Sequence, residues 1–70
     1  MITFNKNIAL NIVFEFDETT DEITDQEICQ FVAGEELDAT VIAEDGGFAD
    51  IEFARGVAFG VEKSDFSIIR

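Results

Sequence analysis

The chain has 70 residues, 47% of them apolar, with 16 acidic side chains against 4 basic ones and no histidine, for a formal charge of −12. A chain of this length holds one domain (1–70) and buries only about 60% of the surface it exposes when unfolded, yet its apolar share, 8 Phe included, excludes a disordered acidic tail. The charge excludes direct binding to nucleic acid or anionic membranes and favours basic protein surfaces as partners.

Without histidine there is no His-based triad and no histidine-ligated metal. Cys29 is the single cysteine, so no internal disulfide or thiolate cage can form, and it reads as a small buried hydrophobe. Residues Met1 to Asn7 are broken by polar side chains and lack the apolar core of a secretory leader. No run reaches membrane-spanning length, and the expected location is cytoplasmic.

In chain order, the first clear element is Ile8–Phe16. Ile8, Leu10, Ile12, Phe14 and Phe16 alternate, with Asn11, Glu15 and Asp17 turned the other way, which is the period of a strand. Residues 17–27 contain one apolar side chain, Ile23, and read as an exposed acidic loop. Residues 28–33 admit two readings. Thr24 with Glu27 has the form of a capping box and Ile23 with Ile28 that of a hydrophobic staple, which would begin a short helix near 25–33 ended by Gly34. Alternatively the segment is a strand that turns at Ala33-Gly34-Glu35, and its β-rich surroundings favour the strand.

Further on, Glu36–Glu44, Phe48–Phe53 and Val57–Val61 are separated by Asp45-Gly46-Gly47 and Ala54-Arg55-Gly56. Each connector ends in Gly, which suits a three-residue hairpin loop with that glycine left-handed. Such loops pair Glu44 with Phe48, Val41 with Ile51 and Ala39 with Phe53, and then Phe53 with Val57, Ile51 with Phe59 and Ala49 with Val61. One face then gathers Leu37, Ala39, Val41, Ala43, Ile51, Phe53, Val57, Phe59 and Val61, a set that a one-residue slip would scatter. Residues 62–65 read as a turn and Phe66–Arg70 as a short closing strand. The expected fold class is mostly β, a small antiparallel barrel or meander.

The stretch Gly34-Glu35-Glu36-Leu37-Asp38-Ala39-Thr40-Val41-Ile42, then residues 50–61 and Asp65-Phe66, resembles an SH3-like small barrel. Tudor and KOW-type modules share this cadence of a three-stranded meander, a tight turn and a short last strand. The resemblance spans roughly residues 28–70 and rests on spacing. It implies a fold rather than an activity: Tudor domains hold methylated basic side chains in an aromatic cage, whereas this chain has no Trp or Tyr, and the basic residues with which KOW modules meet RNA are absent. A short acidic barrel is also similar to small bacteriophage-encoded proteins.

Catalytic signatures are missing. Gly46-Gly47 and Gly56-x-x-x-Gly60 do not form a phosphate cradle, and with so many acids some carboxylate pair is always close, so proximity carries no information. An EF-hand loop begun at Asp17 would put Asp21 and Asp25 at positions 5 and 9, but Glu22 where glycine is needed and Ile28 where glutamate is needed. The expectation is a protein without catalytic residues, metal or cofactor.

What remains is the arrangement of the acids. Opposite the expected core face lie Asp38, Thr40, Ile42 and Glu44 beside Asp50 and Glu52, and the acidic loop adds Asp17, Glu18, Asp21, Glu22 and Asp25. Carboxylates two residues apart on a strand are about 6.6 Å apart, and DNA presents a phosphate about every 3.4 Å along each strand. These nine acids can therefore imitate a short phosphate track. They are the candidate partner-binding residues of a nonenzymatic acidic protein that occupies a basic, nucleic-acid-binding surface, as a DNA-mimic or anti-defence type inhibitor does. The alternative is an SH3-like structural or adaptor module, such as a phage particle component, with an ordinary solvated outer face. Homodimerisation is open on either reading.

Overall fold

The computed structural model describes residues 1–69. Eight strands follow in chain order: β1 (Ile2–Phe4), β2 (Ile8–Asp17), β3 (Glu22–Phe31), β4 (Glu36–Leu37), β5 (Ala39–Asp45), β6 (Phe48–Phe53), β7 (Gly56–Glu62) and β8 (Phe66–Ile68), with a 3-10 turn at Lys63–Asp65 before the last. All pairings are antiparallel. They build a five-stranded sheet in the order β3-β2-β7-β6-β5 and a three-stranded sheet in the order β4-β1-β8. The fold is thus mostly β, and no helix among the described residues is long and apolar enough to cross a membrane.

The two sheets share one core of Ile2, Phe4, Ile12, Ala39, Ala49, Ile51, Ala58, Val61 and Phe66. Phe4 is fully buried and its ring meets Phe31 at 5.4 Å and, edge-on, Phe66 at 6.3 Å, so the short β1 anchors the smaller sheet. The run 36–44, expected as one strand, is broken at Asp38. Its first part joins β1 and its second joins β6, so one stretch of chain serves both sheets.

Residues 17–27 are not the expected loop: the turn is confined to 18–21, and Glu22 already pairs with Asp17 in a hairpin that runs to Ile8 opposite Phe31. Of the two readings of 28–33, the favoured strand is the one found, up to Phe31. No helix forms near 25–33, because residues 26–31 pair in register with 13–8 of β2; backbone pairing to an apolar neighbour outweighs a local capping signal. The expected register is corrected as well. Val41–Ile51, Ala39–Phe53 and Ala49–Val61 pair as expected, but the turns hold two residues, with Asp45 opposite Phe48 and Phe53 opposite Gly56. Bulges absorb the difference: Ile42 is extra on β5, and Phe59-Gly60 of β7 face Asp50 alone. Ile51 therefore pairs with Ala58 rather than Phe59, so Ala58 is buried while Phe59 is 55% exposed.

The glycine geometry changes with the register. Positive φ occurs at Gly46 (61°) and not at Gly47 or Gly56, which at the first turn is the sign pattern of a type II′ hairpin with glycine in the first central position. At Gly56 a side chain is excluded by space instead: a Cβ there would collide with the Val13 carbonyl oxygen and lie 2.9 Å from Ile12 Cγ2.

Candidate partner-binding surface

Among the described residues no polar or charged side chain is buried, so the excess of carboxylates lies at or near the surface. The three described basic side chains are each held by one acid: Lys6 by Asp65 at 3.2 Å, Arg55 by Glu27 at 3.0 Å and Lys63 by Glu44 at 3.3 Å. Arg55 also lies over the Phe14 ring, 5.4 Å from its centroid. Of the nine candidate acids, only Glu44 has a described basic partner.

The structure divides those nine into separate groups. Asp50 and Glu52 are two residues apart on β6, and Glu52 pairs with Thr40 as the alternation requires. Glu44 leaves that row, because the bulge at Ile42 sets it opposite Ala49 and beside Lys63. Asp38, at the break between β4 and β5, lines a groove with Cys29, Phe31, Leu37 and Phe53. Asp50 has a structural duty as well: its Oδ1 accepts the Gly60 N–H at 3.0 Å, which fixes the β7 bulge where Gly60 has a φ of 68°.

The other five acids occupy the β2–β3 hairpin tip. Asp17 Oδ1 accepts the Thr19 N–H at 2.9 Å, and the Asp17 carbonyl accepts the Asp21 N–H at 2.8 Å. These bonds close the turn, and Asp21 takes a left-handed φ of 62°, which Asp tolerates better than most residues. The ladder then sets Asp17 directly opposite Glu22 and Glu15 directly opposite Asp25. Like charges facing each other across a strand pair destabilise it, by about 0.2–1 kcal/mol each. Glu15 was missed as a site residue because the strand period alone assigned it to an outer face; only the register reveals its acidic partner.

Among the described residues, no group of three or more acidic or Cys side chains gathers closely enough to hold a metal ion. Comparison with known proteins finds no matching family model, no matching curated protein and no matching solved structure.

Proposed function

We propose that the protein is a nonenzymatic acidic binding protein that acts in the cytoplasm by occupying a basic, normally nucleic-acid-binding surface of a partner, in the manner of a DNA-mimicking or anti-defence inhibitor. The observation that carries this reading is the hairpin tip: Glu15, Asp17, Glu22 and Asp25 stand in two like-charge cross-strand pairs, with no described basic side chain among them. An arrangement that costs folding energy is understandable where a basic partner recovers it on binding. The meander β5–β7, the 3-10 turn and the short closing strand support an SH3-like small barrel as its scaffold, of the kind that small phage proteins use.

A second reading, an SH3-like structural or adaptor module such as a phage particle component, draws on the half-exposed Ile42, Phe48 and Phe59, since apolar anchors dominate such interfaces. One experiment separates the two. The tagged protein captures its partner from nuclease-treated lysate at low and high salt, and the captured complex is challenged with DNA. Mimicry predicts that salt and DNA both release the partner and that Glu22→Gln with Asp25→Asn slows association. Binding that ignores salt and DNA but is lost with Ile42→Ser would establish the adaptor reading instead.

A further inference from the structure

Strand β3 is an outer strand of the five-stranded sheet and, among the described residues, pairs with β2 alone. Its other side carries an unpaired row of main-chain donors and acceptors. Sheet edges are normally blunted by Lys, Pro, a bulge or a covering segment. The opposite outer strand, β5, has such a bulge at Ile42. In β3 the bulge lies early, at Thr24, and Gln26–Phe31 pairs without interruption and contains neither Lys nor Pro. Beside this edge runs a groove of about 310 Å³ whose walls include Cys29, Phe31, Leu37, Phe53, Asp38 and Arg55, the last neutralised by Glu27. The Phe31 and Phe53 rings stack at 5.1 Å and face it half-buried.

We propose that this edge receives an extended, basic segment of a partner protein, which adds to β3 along Gln26–Phe31 as a further strand. Strand addition takes its affinity from main-chain hydrogen bonds and its specificity from alternate side chains. Asp25, Cys29 and Phe31 lie on one face of β3, at even spacing along an unbulged stretch. Side chains on the matching face of the segment would therefore be apolar where they meet Cys29, Phe31, Leu37 and Phe53 and basic where they reach Asp25 and Asp38; Glu27 already holds Arg55. Charge decides the occupant. A second copy carries the same charge of −12 and the same Glu22 and Asp25, which have no described basic partner, so charge opposes self-pairing, whereas a Lys- or Arg-bearing strand complements it. The inference rests on the reading of the protein as a binder of basic partners and adds how the partner is held.

The test is a titration of the full chain, followed by amide NMR and hydrogen exchange, with a capped ten-residue peptide in which every second residue is Thr and the others are Val in one half and Lys in the other, so that both kinds share one face. Two control peptides keep the length: one carries N-methyl groups on alternate amides, the other has Glu in place of Lys. The expected result is shift changes centred on residues 26–31 and at least about tenfold slower exchange of amides there, since ladder bonds protect them. The N-methylated and Glu peptides should bind at least about tenfold more weakly, having lost the edge hydrogen bonds or the charge complementarity. Cys29, the only thiol, should react more slowly with a thiol reagent in the complex. Equal binding of the N-methylated peptide, or shifts centred on Asp50 and Glu52, would overturn strand addition while leaving a basic partner in place. No binding of the Lys peptide at low salt would overturn both readings. Dimerisation through β3 in the absence of peptide would overturn the choice of occupant.

Discussion

Gly56, Gly60 and Asp50 hold the meander in its register, each by a different physical means. Gly56 has ordinary backbone angles, but the Val13 carbonyl and Ile12 side chain occupy the space of a Cβ. Gly56→Ala should therefore cost about 1–3 kcal/mol as an overpacking change. Gly47→Ala, with nothing within 4 Å of the new Cβ and no positive φ, should leave the urea midpoint nearly unchanged. At Gly60 the requirement is conformational, a positive φ that glycine takes without steric cost, and Asp50 fixes the bulge by accepting the Gly60 N–H. Asp50→Ala should cost about 1.5–3 kcal/mol, the range for a hydrogen bond to a charged group, discounted towards its lower end for the exposure of this one. Asp50→Asn, which keeps an acceptor, should recover most of that. Equal midpoints for the Ala and Asn variants would show that the bulge does not need the bond. At Phe59 and Ala58 the sequence favoured the larger apolar side chain for the core and the structure buries the smaller one. Phe59→Ser should accordingly leave the melting temperature almost unmoved, whereas Phe4→Ala, which empties a fully buried site, should cost about 3–5 kcal/mol and unfold much of the protein.

Among the elements, legibility follows burial. The β5–β6–β7 meander could be read from sequence because one face of it packs on the core, and its alternation survives in the pairs Val41–Ile51, Ala39–Phe53 and Ala49–Val61. The two bulges of the meander could not be read, because each sits in or directly after consecutive apolar residues, Val41-Ile42-Ala43 and Val57-Ala58-Phe59 before Gly60, where a shift of one residue leaves the pattern equally apolar. Strand β1 was missed for its brevity, although Ile2 and Phe4 alternate correctly. Strand β3 was illegible for the opposite reason: from Glu22 to Ile28 both of its faces are exposed, so no hydrophobic period exists to betray a strand. The candidate acids were legible as a set but not as groups, since grouping depends on those bulges and on the hairpin. An outer strand held by β2 alone should open more readily than a central one. Amides of Glu22–Gln26 should exchange orders of magnitude faster than those of Ala49 and Ile51, whose side chains pack in the core. Equal protection in the two strands would mean that β3 is covered in solution, contrary to its exposure in the monomer.

For the molecule as a whole, the decisive quantity is the charge set against its dimensions. The protein measures 37 Å along its longest axis, and the Debye length is about 8 Å at physiological salt but about 30 Å at 0.01 M. At physiological salt, repulsion is confined to neighbouring carboxylates. At 0.01 M the hairpin acids and those of β5 and β6 also repel one another, and with a charge of −12 the folded state has more to lose than the expanded one. Stability should therefore rise with added sodium chloride, most steeply below about 0.1 M, where screening changes fastest. The two facing pairs, Asp17–Glu22 and Glu15–Asp25, are close enough to account for a separable share. Replacing Glu22 by Gln and Asp25 by Asn removes one member of each pair without touching the core. At about 0.2–1 kcal/mol per facing pair, and about 4–8 °C of melting temperature per kcal/mol in a domain of this size, the double variant should melt several degrees higher than the wild type at 0.01 M salt. The gap should narrow as salt is added, because screening relieves in the wild type what the substitutions have already removed. Melting curves of both proteins at 0.01, 0.15 and 0.5 M salt decide the matter. Parallel salt responses, offset by nothing or by a constant amount, would mean that the facing carboxylates are no more costly than the rest of the surface. A converging pair of curves would locate the cost at the hairpin tip, where a basic partner could recover it on binding.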